Sequence, residues 1–252
     1  MNVKMFLSNL SRQTAFRFLS PHDQLIIKNL KLEPNDLFVD VGAFQGWYSE
    51  CALKRGIKTV VFEANKETYK QLRKNLSKYN ALILNKAVGD KNGEVSFFES
   101  SRPEVSSLNK NWFFEHSNTH TSTFKETRVE MVTLDSFFPT ETIGMLKIDV
   151  EGFEKQVLKG ASNLLKSGRV KNILTEWNYG DSEVFLPLLE DYQPFKVMKH
   201  GHLDLVSLSR HEIETMNLDA HYCSNILFVG KNFDTIRRRK TLIPQLVEWS
   251  LS

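Results

Sequence analysis

Cysteine is scarce: Cys51 and Cys223 are the only two in 252 residues. That excludes a disulfide-built scaffold and a four-cysteine zinc site, and both thiols are expected to be buried in a reducing compartment. Long apolar runs are missing as well. None approaches the roughly 18 residues of a membrane-spanning helix. The opening segment, MNVKMFLSNLSRQTAFRFLS, is broken by polar side chains every few positions, unlike a secretory leader. The expectation is a soluble, cytoplasmic protein. Neither sign of charge dominates: 33 Lys+Arg against 30 Asp+Glu leave a net +3, too mild to imply a polyanionic partner by itself. There is no internal repeat and no linker rich in Pro or Gly. With 41% hydrophobic residues the chain can build a sizeable core. One globular unit over residues 34–252 is expected, preceded by a helical cap over residues 1–33.

What is present alternates. Met5, Phe6, Leu10, Phe16 and Leu19 recur at helical spacing, and Pro21 suits the first turn of a second helix carrying Leu25, Ile26, Ile27 and Leu30. Pro34 closes this cap. Short apolar runs suited to strands buried on both faces follow at 36–41 (DLFVDV), 59–63 (TVVFE), within 81–88, at 145–150 (MLKIDV), 170–177, 195–200 and 225–229. Between them lie helical patterns at 47–54, at 66–79 with Asn65 as its cap, at 153–166 and at 182–189. Residues 94–99 alternate as a further strand after a turn at 89–93, 129–132 reads as extended, and 134–138 as a short helix. Residues 100–127, rich in Ser, Thr and Asn, have no clean period. Strands alternating with helices predict βαβ units, a largely parallel sheet and an α/β doubly wound, three-layer sandwich.

Ligands of such sheets sit beyond the carboxyl ends of the strands. The first strand ends in Val39-Asp40-Val41-Gly42, and Gly46 opens the next helix. Both phosphate-binding patterns are absent: the spacing is G-x-x-x-G rather than G-x-G-x-x-G, and no Gly-Lys-Ser/Thr follows. Asp40 would repel a pyrophosphate and suits a ligand carrying a cation. Glu63, 17 residues beyond Gly46 at the second strand's tip, can accept both hydrogen bonds of a ribose diol. Together these describe an adenosine ligand without phosphates, which S-adenosylmethionine satisfies. The fourth strand runs into Asp149, Glu151 and Gly152, and two acids there are costly unless used or paired. A helix N-terminus decorated with acids is the simpler alternative, strongest for Glu151.

The segments DLFVDVGAFQGWYS, TVVFEANKETYKQLRKN, LNKAVGDKNGEVSF, SSL, RVEMVTLDSFF, MLKIDVEGFEKQVLKGA and, later, NILFV resemble, in that order, the FkbM family of S-adenosylmethionine-dependent methyltransferases. They cover about residues 36–178, plus one late strand. The resemblance implies a Rossmann-like three-layer sandwich of the class I methyltransferase type. It implies S-adenosylmethionine as cofactor, held by Asp40, Gly42, Gly46, Glu63, Ala64, Ala87 and Asp149. The Asn85-Lys86-Ala87 segment would border the adenine, and Asp149 and Glu151 would lie at the reactive end. Phe44-Gln45 stands where the family usually has a small polar residue before the second glycine. Residues 1–33 and 200–252 match weakly, and acceptor choice is expected to reside there.

Methyl transfer requires alignment of acceptor, methyl and sulfur, and exclusion of water. A hydroxyl acceptor must also lose a proton, for which Asp149, Glu151, Glu176 and the pair His200 and His202 are candidates. The histidines read equally as a solvated turn around Gly201. Asp149, Glu176 and Asn178 could offer oxygen ligands to Mg²⁺, by analogy of position with catechol-type O-methyltransferases. Ser106-Ser107-Leu108 and the loop to Thr127 could cover an acceptor, with Trp112, Phe113 and Phe114 either stacking on it or pinning the loop to the core. The acceptor expected is a hydroxyl of a sugar, polysaccharide precursor or secondary metabolite, a choice that comes from the resemblance. A nucleic-acid methyltransferase is the alternative. The amino-methylating type would want Asn/Asp-Pro-Pro-Tyr/Phe where Asp149-Val150-Glu151-Gly152 stands, and Arg237 to Lys240 could grip phosphates. A non-catalytic binding module of the same fold is a third possibility.

Overall fold

Leu37–Val41 forms the first strand, β1, with all five residues buried. Alternate side chains serve two cores: Leu37, Val39 and Val41 join one apolar cluster, while Phe38 joins another with Met145, Tyr48, Cys51 and Ala52. A strand covered on both faces has no room for a polar stripe, which is why its sequence is apolar but for one acid, Asp40. The computed structural model describes residues 26–27, 30–101, 103–116, 124–177, 182–199, 203–215 and 224–233. The expected first helix, Cys223, Asn178, His200, His202 and the basic run from Arg237 lie outside them.

Further strands are β2 (Lys58–Phe62), β3 (Leu82–Leu84), β4 (Ala87–Val88), β5 (Gly93–Ser100), β6 (Phe124–Val132), β7 (Ile143–Ile148), β8 (Asn172–Trp177), β9 (Tyr192–Lys199), β10 (Leu203–Ser207) and β11 (Ser224–Gly230). Eight of them form one sheet in the order β10-β9-β11-β8-β7-β1-β2-β3. β3, β2, β1, β7 and β8 run parallel. β11 is inserted antiparallel between β8 and β9. Strand order reverses between β1 and β7, which marks the crevice above those two tips as the ligand position of a doubly wound sheet. This is the expected Rossmann-like α/β sandwich of the class I methyltransferase type. A smaller sheet, β4-β6-β5, stands beside the main one.

Helices α1 (Trp47–Lys54) and α2 (Lys66–Asn75) follow β1 and β2. Asn65 caps α2 as expected, its Oδ1 accepting from Glu67 N at 3.0 Å and Thr68 N at 2.9 Å, a contact worth about 1 kcal/mol. Ile26, Ile27 and Leu30 are buried, and Ile26 and Ile27 are helical. Arg55 holds this segment to the end of α1 by donating to the carbonyls of Ile27, Leu30 and Leu32.

Several boundaries differ from expectation. Residues 100–127 contain a 3-10 turn at Pro103–Val105, helix α3 (Lys110–His116) and the first part of β6. Leu134–Phe137 is helix α4. The single helix expected at 153–166 is two, α5 (Glu154–Lys159) and α6 (Ser162–Lys166). The break falls at Gly160, where no side chain fits: a Cβ there would lie 1.9 Å from the carbonyl oxygen of Gly89. Asp135 caps α6 from a distance, accepting from Asn163 N at 2.9 Å and Leu164 N at 2.8 Å. The helix expected at 182–189 is helix α7 (Ser182–Phe185) followed by a 3-10 turn at Leu186–Glu190. Strand β10 and helix α8 (Arg210–Thr215) have no counterpart in the sequence reading.

Gly160→Ala is expected to destabilise the protein by about 1–3 kcal/mol, the usual cost of overpacking. The measurement is a urea midpoint, and an unchanged midpoint would contradict the close approach of Gly160 to Gly89.

Candidate active site

The cleft above the reversal point has a volume of about 350 Å³. Its floor and walls come from β1 (Val41, Gly42), the loop before α1 (Phe44, Trp47), the tip of β2 (Glu63, Ala64), the small sheet (Ala87, Phe97), the loop after it (Ser106, Leu108) and the tip of β7 (Asp149, Glu151). Of the residues predicted to hold a cofactor, Gly42, Glu63, Ala64, Ala87 and Asp149 line this cleft.

Two predicted cofactor residues do not line it. Asp40 is fully buried beneath the floor. Its Oδ2 accepts from Ser49 Oγ at 2.5 Å, and its Oδ1 lies 3.4 Å from Lys147 Nζ. Gly46 sits behind the loop, where a Cβ would come within 2.5 Å of Leu72 Cδ1. Its glycine serves the packing of α2 against the loop, together with a left-handed φ of 84°. Gly42 combines both demands: φ is 74°, and a Cβ would lie 1.8 Å from the carbonyl oxygen of Asp149.

Glu63 is held by the backbone it faces. Oε1 accepts from Asn65 N at 2.8 Å and Oε2 from Phe44 N at 2.9 Å. Each oxygen keeps a second lone pair, so the carboxylate can still receive a diol. Burial pushes its pKa up to about 7, against the two backbone N–H bonds and Lys147, which pull it down. Asn85 ties the same turn by donating to the carbonyls of Glu63 and Ala64, both at 2.9 Å. Lys86 borders the cleft and pairs with Glu130.

The opposite end is crowded with acids. One carboxylate oxygen each of Asp149, Glu151 and Glu176 lie within 4.8 Å of one another. Glu176 is not among the cleft-lining residues but stands beside Asp149 and Glu151 at the end of β8. Groups of this kind are common without an ion. Glu151 has a left-handed φ of 57°, and its carbonyl accepts from Ser107 Oγ at 2.6 Å. Asn109 donates to the carbonyl of Gly152 at 3.0 Å. These two bonds bind the loop after β5 to the β7 turn. Burial, then Asp149 and Glu176, raise the pKa of Glu151 to about 9. Glu154 rises to about 8, chiefly by burial, although its Oε1 accepts from Val150 N at 3.0 Å.

Lys147 was not singled out in the sequence. It is 4% exposed, in a strand otherwise apolar, and its ammonium touches Gly42 O at 2.6 Å, Asp149 Oδ2 at 3.3 Å and Asp40 Oδ1 at 3.4 Å. Burial alone would lower its pKa, but Asp149 and Asp40 outweigh that and drive it above the ordinary lysine range. A lysine within an apolar strand pattern, two positions before Asp149 and four before Glu151, was the available clue. Phe113, offered above as stacking on a substrate or pinning the loop, is fully buried and meets Phe98 and Phe124 at centroid distances of 6.0 Å each. It pins the loop.

These residues fit a cationic nucleoside. Acids stand at both ends of the cleft, and the buried lysine is already held by Gly42 O and two carboxylates, so it offers little grip to a phosphate. Each raised carboxyl binds more protons folded than unfolded between its ordinary value of 4.5 and its raised value. Its stabilising contribution is complete below 4.5 and is lost as pH rises through about 7, 8 and 9 for Glu63, Glu154 and Glu151 respectively. Glu151→Gln, neutral at every pH, is expected to lose less stability than the parent protein between pH 7 and 9. Parallel urea curves at the two pH values would contradict the raised pKa.

Among curated proteins, none matches the chain by sequence. Solved structures share its general course at low identity. An rRNA methylase from Streptococcus thermophilus is 11% identical over 83% of this chain and 93% of its own, with a TM-score of 0.43. Precorrin-6y C5,15-methyltransferase from Geobacter metallireducens is 13% identical over 81% and 85%, with a TM-score of 0.40. Precorrin 8w decarboxylase from Methanobacterium thermoautotrophicum is 12% identical over 82% and 87%, with a TM-score of 0.39. Among the described residues no helix is long and apolar enough to cross a membrane. The model of the methyltransferase FkbM domain matches residues 40–212, a span that takes in the cleft, both strand tips and the acid cluster. The chain therefore belongs to the FkbM methyltransferase family and is an S-adenosylmethionine-dependent methyltransferase.

Proposed function

We propose that the chain methylates a hydroxyl of a sugar, a polysaccharide precursor or another secondary metabolite. The observation that carries this reading is the charge layout of one cleft, with Glu63 at one end and Asp149 and Glu151 at the other. Glu63 would hold the ribose diol, beside Ala64, while Ala87 and Lys86 border the base. When bound, S-adenosylmethionine supplies an electrophilic methyl group on a positively charged sulfur. The aromatic rim of Phe44, Trp47 and Phe97 would exclude water from the reacting atoms.

A hydroxyl acceptor gives up its proton as the new bond forms. Glu151, raised to about 9, already holds a proton at pH 7 and cannot take another. Asp149, paired with a fixed cation and reaching the cleft, is the better-placed acceptor of that proton. Glu176 supports it from the neighbouring strand. A polyanionic acceptor would meet the Asp149 carboxylate at this end of the cleft, which argues against RNA there. The acids at the strand tips argue against a non-catalytic module, because unused carboxyls at a strand tip cost stability.

The test is transfer of labelled methyl from S-adenosylmethionine to a panel of sugar nucleotides and oligosaccharides. Alkali-stable label in the glycan fraction is expected. Label found in RNA and lost on nuclease treatment would overturn the acceptor class. Glu63→Ala is expected to weaken S-adenosylmethionine binding by about 1.5–3 kcal/mol, the range for hydrogen bonds to a charged group. Unchanged calorimetric affinity would refute the ribose assignment. Asp149→Asn is expected to lower turnover about 10²-fold or more while shifting the melting temperature little, and wild-type turnover would remove the β7 tip from the reaction.

A further inference from the structure

Lys147 donates to Gly42 O at 2.6 Å, and its ammonium lies within ion-pair distance of two carboxylates, Asp149 Oδ2 at 3.3 Å and Asp40 Oδ1 at 3.4 Å. The face of the Tyr48 ring lies on a further side, 5.5 Å from Nζ. These partners come from the two strands between which the sheet order reverses. Asp40 and Lys147 are register partners across β1 and β7. Ser49, from α1, engages the second oxygen of Asp40 at 2.5 Å. A continuous polar chain therefore runs from α1 through Asp40 and Lys147 to Asp149.

The members of that chain differ in access. The side chains of Asp40 and Lys147 are 1% and 5% exposed, whereas that of Asp149 is 42% exposed and lines the cleft. A buried ion pair is weak evidence for stability, because a well-packed apolar pair is often as good or better. This one ends on the charged partner that reaches the ligand cleft, and it also grips the carbonyl of Gly42, the cleft-lining residue that turns the cofactor loop. We propose that Lys147 is a positioning residue: it fixes the Asp149 carboxylate, against the Gly42 carbonyl, at the point where the cationic end of the cofactor is received. The assignment rests on reading the cleft as the S-adenosylmethionine site.

The test is calorimetric titration with S-adenosylmethionine, without any acceptor. Lys147→Met alone would strand a buried carboxylate and could prevent folding, so the comparison is made in an Asp40→Asn background. Lys147→Met is expected to weaken binding about tenfold while Asp149 is present, and less than about threefold once Asp149→Asn is added, as coupled neighbours do. A purely structural role would lower the melting temperature of the free protein and leave the affinity of the folded protein unchanged; that result overturns the assignment. An equal loss with and without Asp149 overturns it too, because Lys147 would then not act through that carboxylate. Should Lys147→Met fail to fold, Lys147→Gln takes its place under the same expectations. A wild-type protein that binds no S-adenosylmethionine would sink the cofactor reading as well. Wild-type binding with indifferent Lys147 variants would sink this assignment alone.

Discussion

A single buried ammonium joins the two strand tips on which the cleft is built. Lys147 stands between Asp40 and Asp149 and holds the carbonyl of Gly42. Asp40 could not sit fully buried without a compensating charge, since an isolated carboxylate in an apolar interior is far too costly. Ser49 and Lys147 supply that compensation from two sides. The close pairing of β1 with β7 then permits the contact of Gly42 with the Asp149 carbonyl, where any side chain at 42 would collide. Cleft geometry and core electrostatics are thus one arrangement, and a change at either strand tip reaches the other.

The remaining walls are added around that junction. The small sheet brings Ala87 and Phe97 to the cleft, and its loop is anchored to the β7 turn by Ser107 and Asn109. Those bonds accompany the left-handed backbone at Glu151, a conformation that non-glycine residues keep only when their surroundings enforce it. Phe113, buried against Phe98 and Phe124, gives the loop its own apolar footing.

The parallel strands were legible because each is a short apolar run between turn residues, and burial on both faces leaves no other pattern. The helix at 66–75 was legible from Asn65, whose capping role is local. Glu63, Gly42 and Asp149 were readable as cleft residues because strand tips are where such sheets bind ligands. What escaped was non-local. The demand for glycine at 160 comes from Gly89, 71 residues earlier in the chain. Gly46 looked like a ligand contact but answers to Leu72. Asp40 was read as meeting a ligand cation when it meets a cation of the protein itself. Its partner is 107 residues away, and only the register of β1 against β7 brings them together.

The acids near the cleft separate by what already occupies their oxygens. Asp40 is spent on Ser49 and Lys147, and Glu154 accepts from the backbone of Val150. Both hold the frame. Glu63 accepts one N–H on each oxygen yet faces the cleft with lone pairs in reserve, so it can bind a neutral diol without first losing a partner. Asp149 gives one oxygen to Lys147 and exposes the rest. Glu151, crowded by Asp149 and Glu176, keeps a proton to about pH 9 and so reduces the charge the cluster must bear. The cleft therefore offers a cation two carboxylates with free acceptors and one protonated neighbour, all beyond a buried lysine that cannot leave its acceptors. A diphosphate entering the same space would find acids at both ends, and the one cation that borders it, Lys86, already paired with Glu130, an arrangement that suits a cationic ligand better than a phosphate.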